Sequence, residues 1–239
     1  MKSFLRSIII NVIPKFIKQI ISNDFVNKNH LNLSYSQEGE DLILSRFFGE
    51  KKEGLFIDVG AHHPFRFSNT NMFYNKGWRG INIDPLPGAI DLFNNYRPFD
   101  VNLPFGIAKV QGSLVYYNFS DPALNTFSKE KAEQIETQTN YKLISKINCQ
   151  VFPLSLILEK YLSDNSKIDF LTIDCEGLDL EVLSSNDWDK YRPTIVLAES
   201  HTSNINQMHT CMIYNFMTEK GYELYAKTHY TFFYKDKKC

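Results

Sequence analysis

Four short apolar runs in this chain each end in an acid. Asp58 follows Leu55-Phe56-Ile57, with Val59-Gly60 behind it, and Asp84 follows Ile81-Asn82-Ile83. Asp174 follows Leu171-Thr172-Ile173, and Glu199 follows Val196-Leu197-Ala198, with His201 two residues on. Runs of this length and apolarity read as buried strands of a parallel sheet. A carboxylate at the end of such a strand is costly unless something polar meets it. In an open α/β sheet the carboxyl ends of the strands are where ligands bind. Taken singly, each run is also an ordinary strand with a capping acid. Taken together they would crowd carboxylates on one rim, where they raise one another's proton affinity, and a purely structural protein gains nothing from that.

The chemistry these acids suit is nucleoside binding. Asp84 lies about 25 positions after Gly60, and an acid there can accept both hydrogen bonds of a ribose diol. Gly60, lacking Cβ, would let a ligand approach the backbone. The chain continues Ala61-His62-His63-Pro64-Phe65 and carries no second or third glycine of the dinucleotide fingerprint. A pyrophosphate therefore has no cradle, which disfavours a nicotinamide or nucleotide-sugar oxidoreductase. A nucleoside without pyrophosphate fits better, and the adenosine of S-adenosylmethionine is the leading candidate. Gly60, Ala61 and His62 would border it. Ser68-Asn69-Thr70-Asn71 reads as the start of a helix through Tyr74, where backbone donors would suit a carboxylate such as that of the methionine moiety. Ser36 is expected to cap a helix whose first turn holds Glu38, Glu40 and Asp41, placing Gln37 over the strand ends beside the cofactor.

The elements that must position these groups follow in order. Residues 3–22 repeat apolar side chains every three or four positions, from Phe4 to Ile21, with Lys2, Arg6, Lys15 and Lys18 off the stripe and Pro14 as a kink. This amphipathic helix would pack on its own domain, pair with a second copy, or lie on a membrane surface. Asn11, Pro14 and Lys15 argue against a cleaved secretory signal. Residues 23–34 read as a linker, so the division expected is 1–34 for helix and linker and 35–239 for one catalytic domain. After Asp84, Pro85 starts a helix through Phe93. A third strand is expected near 101–108 and another over 113–119. Asp121 to Asn140 reads as a polar loop, with Leu124-Asn125-Thr126-Phe127-Ser128 inside it, able to cover an acceptor. Val151 to Leu162 reads as a strand end and helix. A helix follows Gly177, another runs through Met208 to Met217, and Tyr222–Ala226 with Tyr230–Lys235 forms a closing hairpin.

The 239 residues are 43% hydrophobic, enough for one α/β domain with a large core. Lys and Arg number 26 against 27 Asp and Glu, for a net charge of −1, which argues against nucleic acid as a partner. Cys149, Cys175, Cys211 and Cys239 show no paired spacing, as expected of a reduced, cytoplasmic setting. No apolar run approaches the roughly 20 residues of a bilayer span.

Tyr35-Ser36-Gln37-Glu38-Gly39-Glu40-Asp41, Phe56-Ile57-Asp58-Val59-Gly60-Ala61, Gly77-Trp78-Arg79-Gly80 leading to Asp84, and Ile173-Asp174-Cys175-Glu176-Gly177 followed by Glu181-Val182-Leu183 together resemble the FkbM family of S-adenosylmethionine-dependent methyltransferases. The likeness runs from Tyr35 to the hairpin. It implies a class I methyltransferase fold, a Rossmann-like, seven-stranded, mostly parallel sheet with a C-terminal antiparallel hairpin, and O-methylation of sugars or natural-product hydroxyls. The paired imidazoles His62-His63 depart from the family pattern. The acceptor expected is a sugar, nucleotide sugar or surface-polysaccharide precursor. A phosphoramidate nitrogen or lipid head group stands as the alternative, as does a non-catalytic membrane-associated nucleoside-binding module. An acceptor hydroxyl needs a base or a Lewis acid. His201 is the first base candidate, because its ordinary pKa of about 6.5 lies near operating pH. Asp174 would take the proton or orient the imidazole, with Glu199 beside it. In the rival arrangement Asp174, Glu199 and His201 hold magnesium or manganese. Glu176 is read as bracing its turn.

Overall fold

Apolar side chains on both faces of each central strand dictate a sheet buried from both sides. A computed structural model describes residues 31–164, 166–200 and 205–239. The helix expected over 3–22, most of the linker and His201 lie outside them. The unit described runs from Ser34 to Cys239.

Strands β1 (Leu55–Val59), β2 (Arg79–Ile83), β3 (Val101–Leu103), β7 (Phe170–Ile173) and β8 (Ile195–Glu199) are parallel. With β9 (Tyr222–Lys227) and β10 (Thr231–Asp236) they form a seven-stranded sheet in the order β3-β2-β1-β7-β8-β10-β9. Strand β10 is antiparallel to both β8 and β9. This is the class I methyltransferase sheet with its closing hairpin, as the resemblance implied.

Alternation along each strand divides the core. Ile57, Val59, Leu171, Ile173, Val196 and Ala198 face one layer, packed with residues of α5 (Leu154–Tyr161), α6 (Asp179–Ser184) and α7 (Met212–Glu219). Phe56, Phe170, Ile195 and Leu197 face the other, with Leu44 of α1 (Glu40–Phe48), Phe73 of α2 (Asn71–Asn75) and Trp78. Phe56, Phe73 and Phe170 are fully or almost fully buried, and removing each from water stabilises the fold by about 1.5–3 kcal/mol.

The acidic Ser36–Asp41 stretch serves structure more than expected. Gly39, in the left-handed region at φ 86°, holds the N-cap position of helix α1, and the Ser36 hydroxyl accepts the first-turn N–H of Asp41 at 3.3 Å, as expected of a capping serine. Asp41 is fully buried and accepts from Ser34 Oγ at 2.6 Å, Tyr35 N–H at 2.7 Å and Ser36 Oγ at 3.0 Å. Glu38 accepts from Tyr230 N–H at 3.0 Å, and Glu40 from the hydroxyls of Thr228 and Thr231 at 3.3 and 3.2 Å. The stretch thus clasps the turn of the β9–β10 hairpin.

The largest departure from expectation is a second layer. The run 101–108 is two strands, β3 in the main sheet and β4 (Gly106–Ile107) in another, parted at Pro104, which has no N–H for a ladder. Strands β4, β5 (Gly112–Phe119) and β6 (Leu143–Phe152) pair in the order β4-β6-β5. Asp121 to Asn140 is not a plain loop. It holds a 3₁₀ turn (Pro122–Leu124) and helix α4 (Lys129–Gln138), whose N-cap Ser128 accepts from Lys131 N–H at 3.1 Å. Helix α3 (Ala89–Tyr96) begins four residues after Pro85, capped by Gly88.

Candidate active site

Register aligns the strand ends. Val59 sits opposite both Ile83 and Ile173, and Ile173 opposite Ala198. The next residue on each strand is therefore Gly60, Asp84, Asp174 and Glu199, one row along the carboxyl rim. All four border a cleft of about 370 Å³, of the size that takes a small ligand. Gln37, Asp58, Ala61, His62 and Asn69 line it as well.

On the β1–β2 side the row presents Gly60 and Asp84 to the cleft. Asp84 is buried, and each of its oxygens is oriented by a backbone donor: His62 N–H to Oδ2 at 2.7 Å and Leu86 N–H to Oδ1 at 2.8 Å. His62 reaches that position with φ 53°, uncommon for a residue with a Cβ. Burial, then the nearby Arg66 and His63, lowers its pKa to about 4, so its ring is neutral. Nδ1 of His63 accepts from Phe65 and Arg66 N–H, both at 3.1 Å, stapling the same turn. The two imidazoles therefore shape the loop that aims Asp84. Burial raises the Asp84 pKa to about 6.

Gly60 has a structural reason beside the one expected. Its φ is 80°, and a Cβ there would fall 1.9 Å from the Asp174 carbonyl oxygen. The neighbouring strand end approaches it closely, and its other side borders the cleft.

Asp58 is buried and accepts from Thr70 Oγ1 at 2.7 Å; burial raises its pKa to about 6 against that bond and the charge of Arg97. Arg97, itself 1% exposed, donates to Thr70 Oγ1 at 2.7 Å, to Ser68 Oγ at 2.9 Å and to the Pro64 carbonyl. Ser68 Oγ in turn accepts the Asn71 N–H. Ser68 and Thr70 were expected to touch the cofactor. They are buried behind the cleft wall, and the first helical donor is spent on Ser68, so these two brace Asp58. Asn69 does reach the cleft, held by Nδ2 donating to Thr172 Oγ1 at 3.0 Å.

On the β7–β8 side three carboxylates meet. Ligand oxygens of Asp174, Glu176 and Glu199 all lie within 4.8 Å of one another. Glu176 thus joins the cluster, in addition to its place in the turn, where it sits at φ 49° and its carbonyl accepts from Thr126 Oγ1 at 2.9 Å. Lys131 of α4 places Nζ 3.0 Å from Glu176 Oε2. Burial, then the charges of Glu176 and Asp179, lifts the Glu199 pKa to about 8, with Lys131 pulling it down. The Asp174 carboxyl is held well above its usual range by enclosure and by the charges of Glu199 and Glu176. Asp174 is open to solvent across the cleft, so the repulsion of its neighbouring acids is the larger cause. Asp174 and Glu199 therefore hold protons more readily than ordinary carboxyls and can exchange one with an acceptor. Its oxygens are also of the type that holds a hard divalent ion, beside which Lys131 already supplies a cation.

Sequence reasoning missed Lys131 and Tyr116, because nothing in a polar helix or an alternating strand marks which side chain will reach back to the main sheet. The strap Pro122–Phe127 does line the cleft.

A sequence model of the methyltransferase FkbM domain matches residues 58–224, well over half of the chain. No curated protein matches. Among solved structures, the chain is similar to precorrin-6y C5,15-methyltransferase from Geobacter metallireducens GS-15, at 10% identity and TM-score 0.41 over 82% of this chain and 88% of that one. It is also similar to a TehB-like SAM-dependent methyltransferase from Corynebacterium glutamicum ATCC 13032, at 9% identity and TM-score 0.41 over 94% and 100%. A putative RNA methyltransferase from Pyrococcus horikoshii matches at 10% identity and TM-score 0.38 over 86% and 91%. With its matching domain, its sheet order and its acid-lined strand rim, this chain belongs to the FkbM family and is an S-adenosylmethionine-dependent methyltransferase.

Proposed function

We propose that the enzyme methylates a hydroxyl of a sugar or nucleotide sugar, as a step in making a surface polysaccharide. The observation that carries this reading is the convergence of Asp174, Glu176 and Glu199 beside the nucleoside half of one cleft. Carboxylates accept hydrogen bonds from vicinal hydroxyls. Phe67, Phe105 and Phe127 in the cleft walls offer apolar faces for a pyranose ring. S-adenosylmethionine supplies the methyl group as an electrophile when bound. Asp84, Ala61, His62, Asn69 and Gln37 would hold it, with Asp58 behind them. The acceptor hydroxyl gives its proton to Glu199 or Asp174, whose raised proton affinities suit a base working near neutral pH. His201 follows Glu199 by two residues and is the second candidate for that proton.

Lys131 balances part of the cluster's charge from within the protein, and we favour this over magnesium or manganese on Asp174, Glu176 and Glu199. Chelation that abolishes transfer, with restoration by either ion, would reverse the preference. We place the enzyme in the cytoplasm, with residues 3–22 acting at the membrane face or between two copies. Among the described residues no helix is long and apolar enough to cross a membrane.

The test is transfer of labelled methyl from S-adenosylmethionine to a panel of free sugars, nucleotide sugars, phosphoramidates and lipid head groups. Label in an alkali-stable sugar ether is expected. Label confined to a phosphoramidate nitrogen or a lipid head group would replace the acceptor class. Failure of S-adenosylhomocysteine to bind would favour a non-catalytic module.

A further inference from the structure

We infer that Tyr116, a second-layer residue positioned by Asn125, completes the adenosine site by donating a hydrogen bond to the nucleoside beside Asp84. Leu114 and Tyr116 lie two residues apart on β5 and so share a face. In register they stand opposite Cys149 and Ile147 of β6. Cys149 Sγ contacts the carbonyl of Pro85 at 3.9 Å, and Pro85 follows Asp84. That face of the second sheet therefore abuts the end of β2, and Tyr116 is delivered to the cleft there.

Tyr116 is 6% exposed, with its ring 4.8 Å from that of Phe127. Phe127 in turn fits only because residue 106 is glycine, since a Cβ there would fall 2.5 Å from the ring. The aromatic body is thus fixed and only the hydroxyl end is left to act. Asn125 is equally buried. Its Oδ1 accepts the Phe119 N–H at 2.7 Å, which turns Nδ2 the other way, toward the Tyr116 phenol and away from solvent. The amide thus positions the phenol oxygen and leaves the phenol's own hydrogen for an acceptor in the cleft. Burial and the charge of Asp84 keep that phenol protonated, hence a donor. A buried donor left without an acceptor is costly, and a ribose oxygen or adenine ring nitrogen in the cleft would satisfy it.

This inference rests on the S-adenosylmethionine site described above, so the experiment separates the two. Calorimetry compares the wild-type protein, Tyr116→Phe and Asn125→Asp, using S-adenosylhomocysteine and 5′-methylthioadenosine. Tyr116→Phe keeps the ring on Phe127, and Asn125→Asp keeps the acceptor for Phe119; a melting curve for each confirms folding. Each variant is expected to bind both ligands roughly fivefold to tenfold more weakly, by the same factor for each ligand, as the loss of one hydrogen bond predicts. Wild-type affinity in both variants, or a loss for S-adenosylhomocysteine with none for 5′-methylthioadenosine, overturns the inference and leaves the cofactor site standing. A wild-type protein that binds neither ligand overturns the cofactor site with it.

Discussion

Lys131 Nζ lies 3.0 Å from Glu176 Oε2, so the second layer carries a positive charge into a row of carboxylates that the main sheet builds alone. Burial works against that charge, but Glu176 outweighs it and holds the Lys131 pKa above its usual value. The cation also lowers Glu199, which nevertheless stands at about 8. If ionised Glu199 is the working base, activity rises with pH toward that value, and near pH 7 only about a tenth of the molecules are competent. Lys131→Met removes the lowering influence. The rising limb of kcat/KM should then move to higher pH, with the largest rate loss below pH 8. A pH–rate profile with saturating cofactor checks this, and an unmoved limb would show that Lys131 does not govern the proton.

The same crowding sets the pH dependence of stability. Asp58, Asp84 and Asp100 are raised to about 6, Asp179 to about 7 and Glu199 to about 8, in each case chiefly by burial. A carboxyl with a folded pKa above its unfolded one binds its proton better in the folded state. Its contribution is whole below about pH 4 and is lost as pH rises through the folded value. His62, lowered to about 4, and His63, lowered as well by burial, have the opposite sense: they cost stability as pH falls from about 6.5. Asp174, also raised, brings the acids to six against these two imidazoles. The melting temperature of the ligand-free protein should therefore fall between pH 5 and pH 8, by more than the ~2–4 °C that 1 kcal/mol shifts a domain of this size. A melting temperature that climbs across that window would contradict the raised values.

Which parts of this were legible in the sequence follows from what local patterning encodes. The buried strands announce themselves as apolar runs, and their terminal acids stand out because a charge in such a run is costly. The resemblance then gave the strand count. The second layer was only half visible. Ile147-Asn148-Cys149-Gln150-Val151 alternates at a period of two, and burial follows that alternation along β6, yet only the strand end at Val151 was read. Without a partner strand in view, a half-polar strand looks like a loop. The roles of Ser68 and Thr70 were misread because Arg97, far along the chain, is what turns their hydroxyls inward. The packing that demands glycine at position 60 is not legible, since a glycine's neighbours across a sheet cannot be read from its own strand.

Gly60→Ala tests that last point. The substitution must hold φ 80° and also place a carbon 1.9 Å from a backbone oxygen, which no side-chain shift relieves. The end of β1 must move away from β7, and Asp174 moves with it. We expect a loss of several kcal/mol in unfolding free energy, well beyond the ~1 kcal/mol typical of a point substitution. If glycine were there only for a ligand, S-adenosylhomocysteine affinity would fall while denaturant unfolding of the free protein stayed at the wild-type midpoint.

Arg97 offers the sharpest separation of support from contact. Its guanidinium is buried and tied to Ser68, Thr70 and the Pro64 carbonyl, and Thr70 passes the bond on to Asp58. Arg97→Lys keeps the charge but cannot make the same fork of bonds. It should cost about 1–3 kcal/mol in unfolding free energy, the range for buried groups left without their hydrogen-bond partner. Thr70 would then lose the donor that orients its hydroxyl, and its bond to Asp58 would weaken. S-adenosylhomocysteine affinity should drop with stability, although Arg97 does not line the cleft. Thr70→Val is the companion variant: it leaves Arg97 its bonds to Ser68 and the Pro64 carbonyl but removes the bond to Asp58, so it should cost less stability than Arg97→Lys for a similar loss of cofactor affinity. Equal affinity in Thr70→Val and the wild-type protein would mean that Asp58 is held by something other than this chain of bonds.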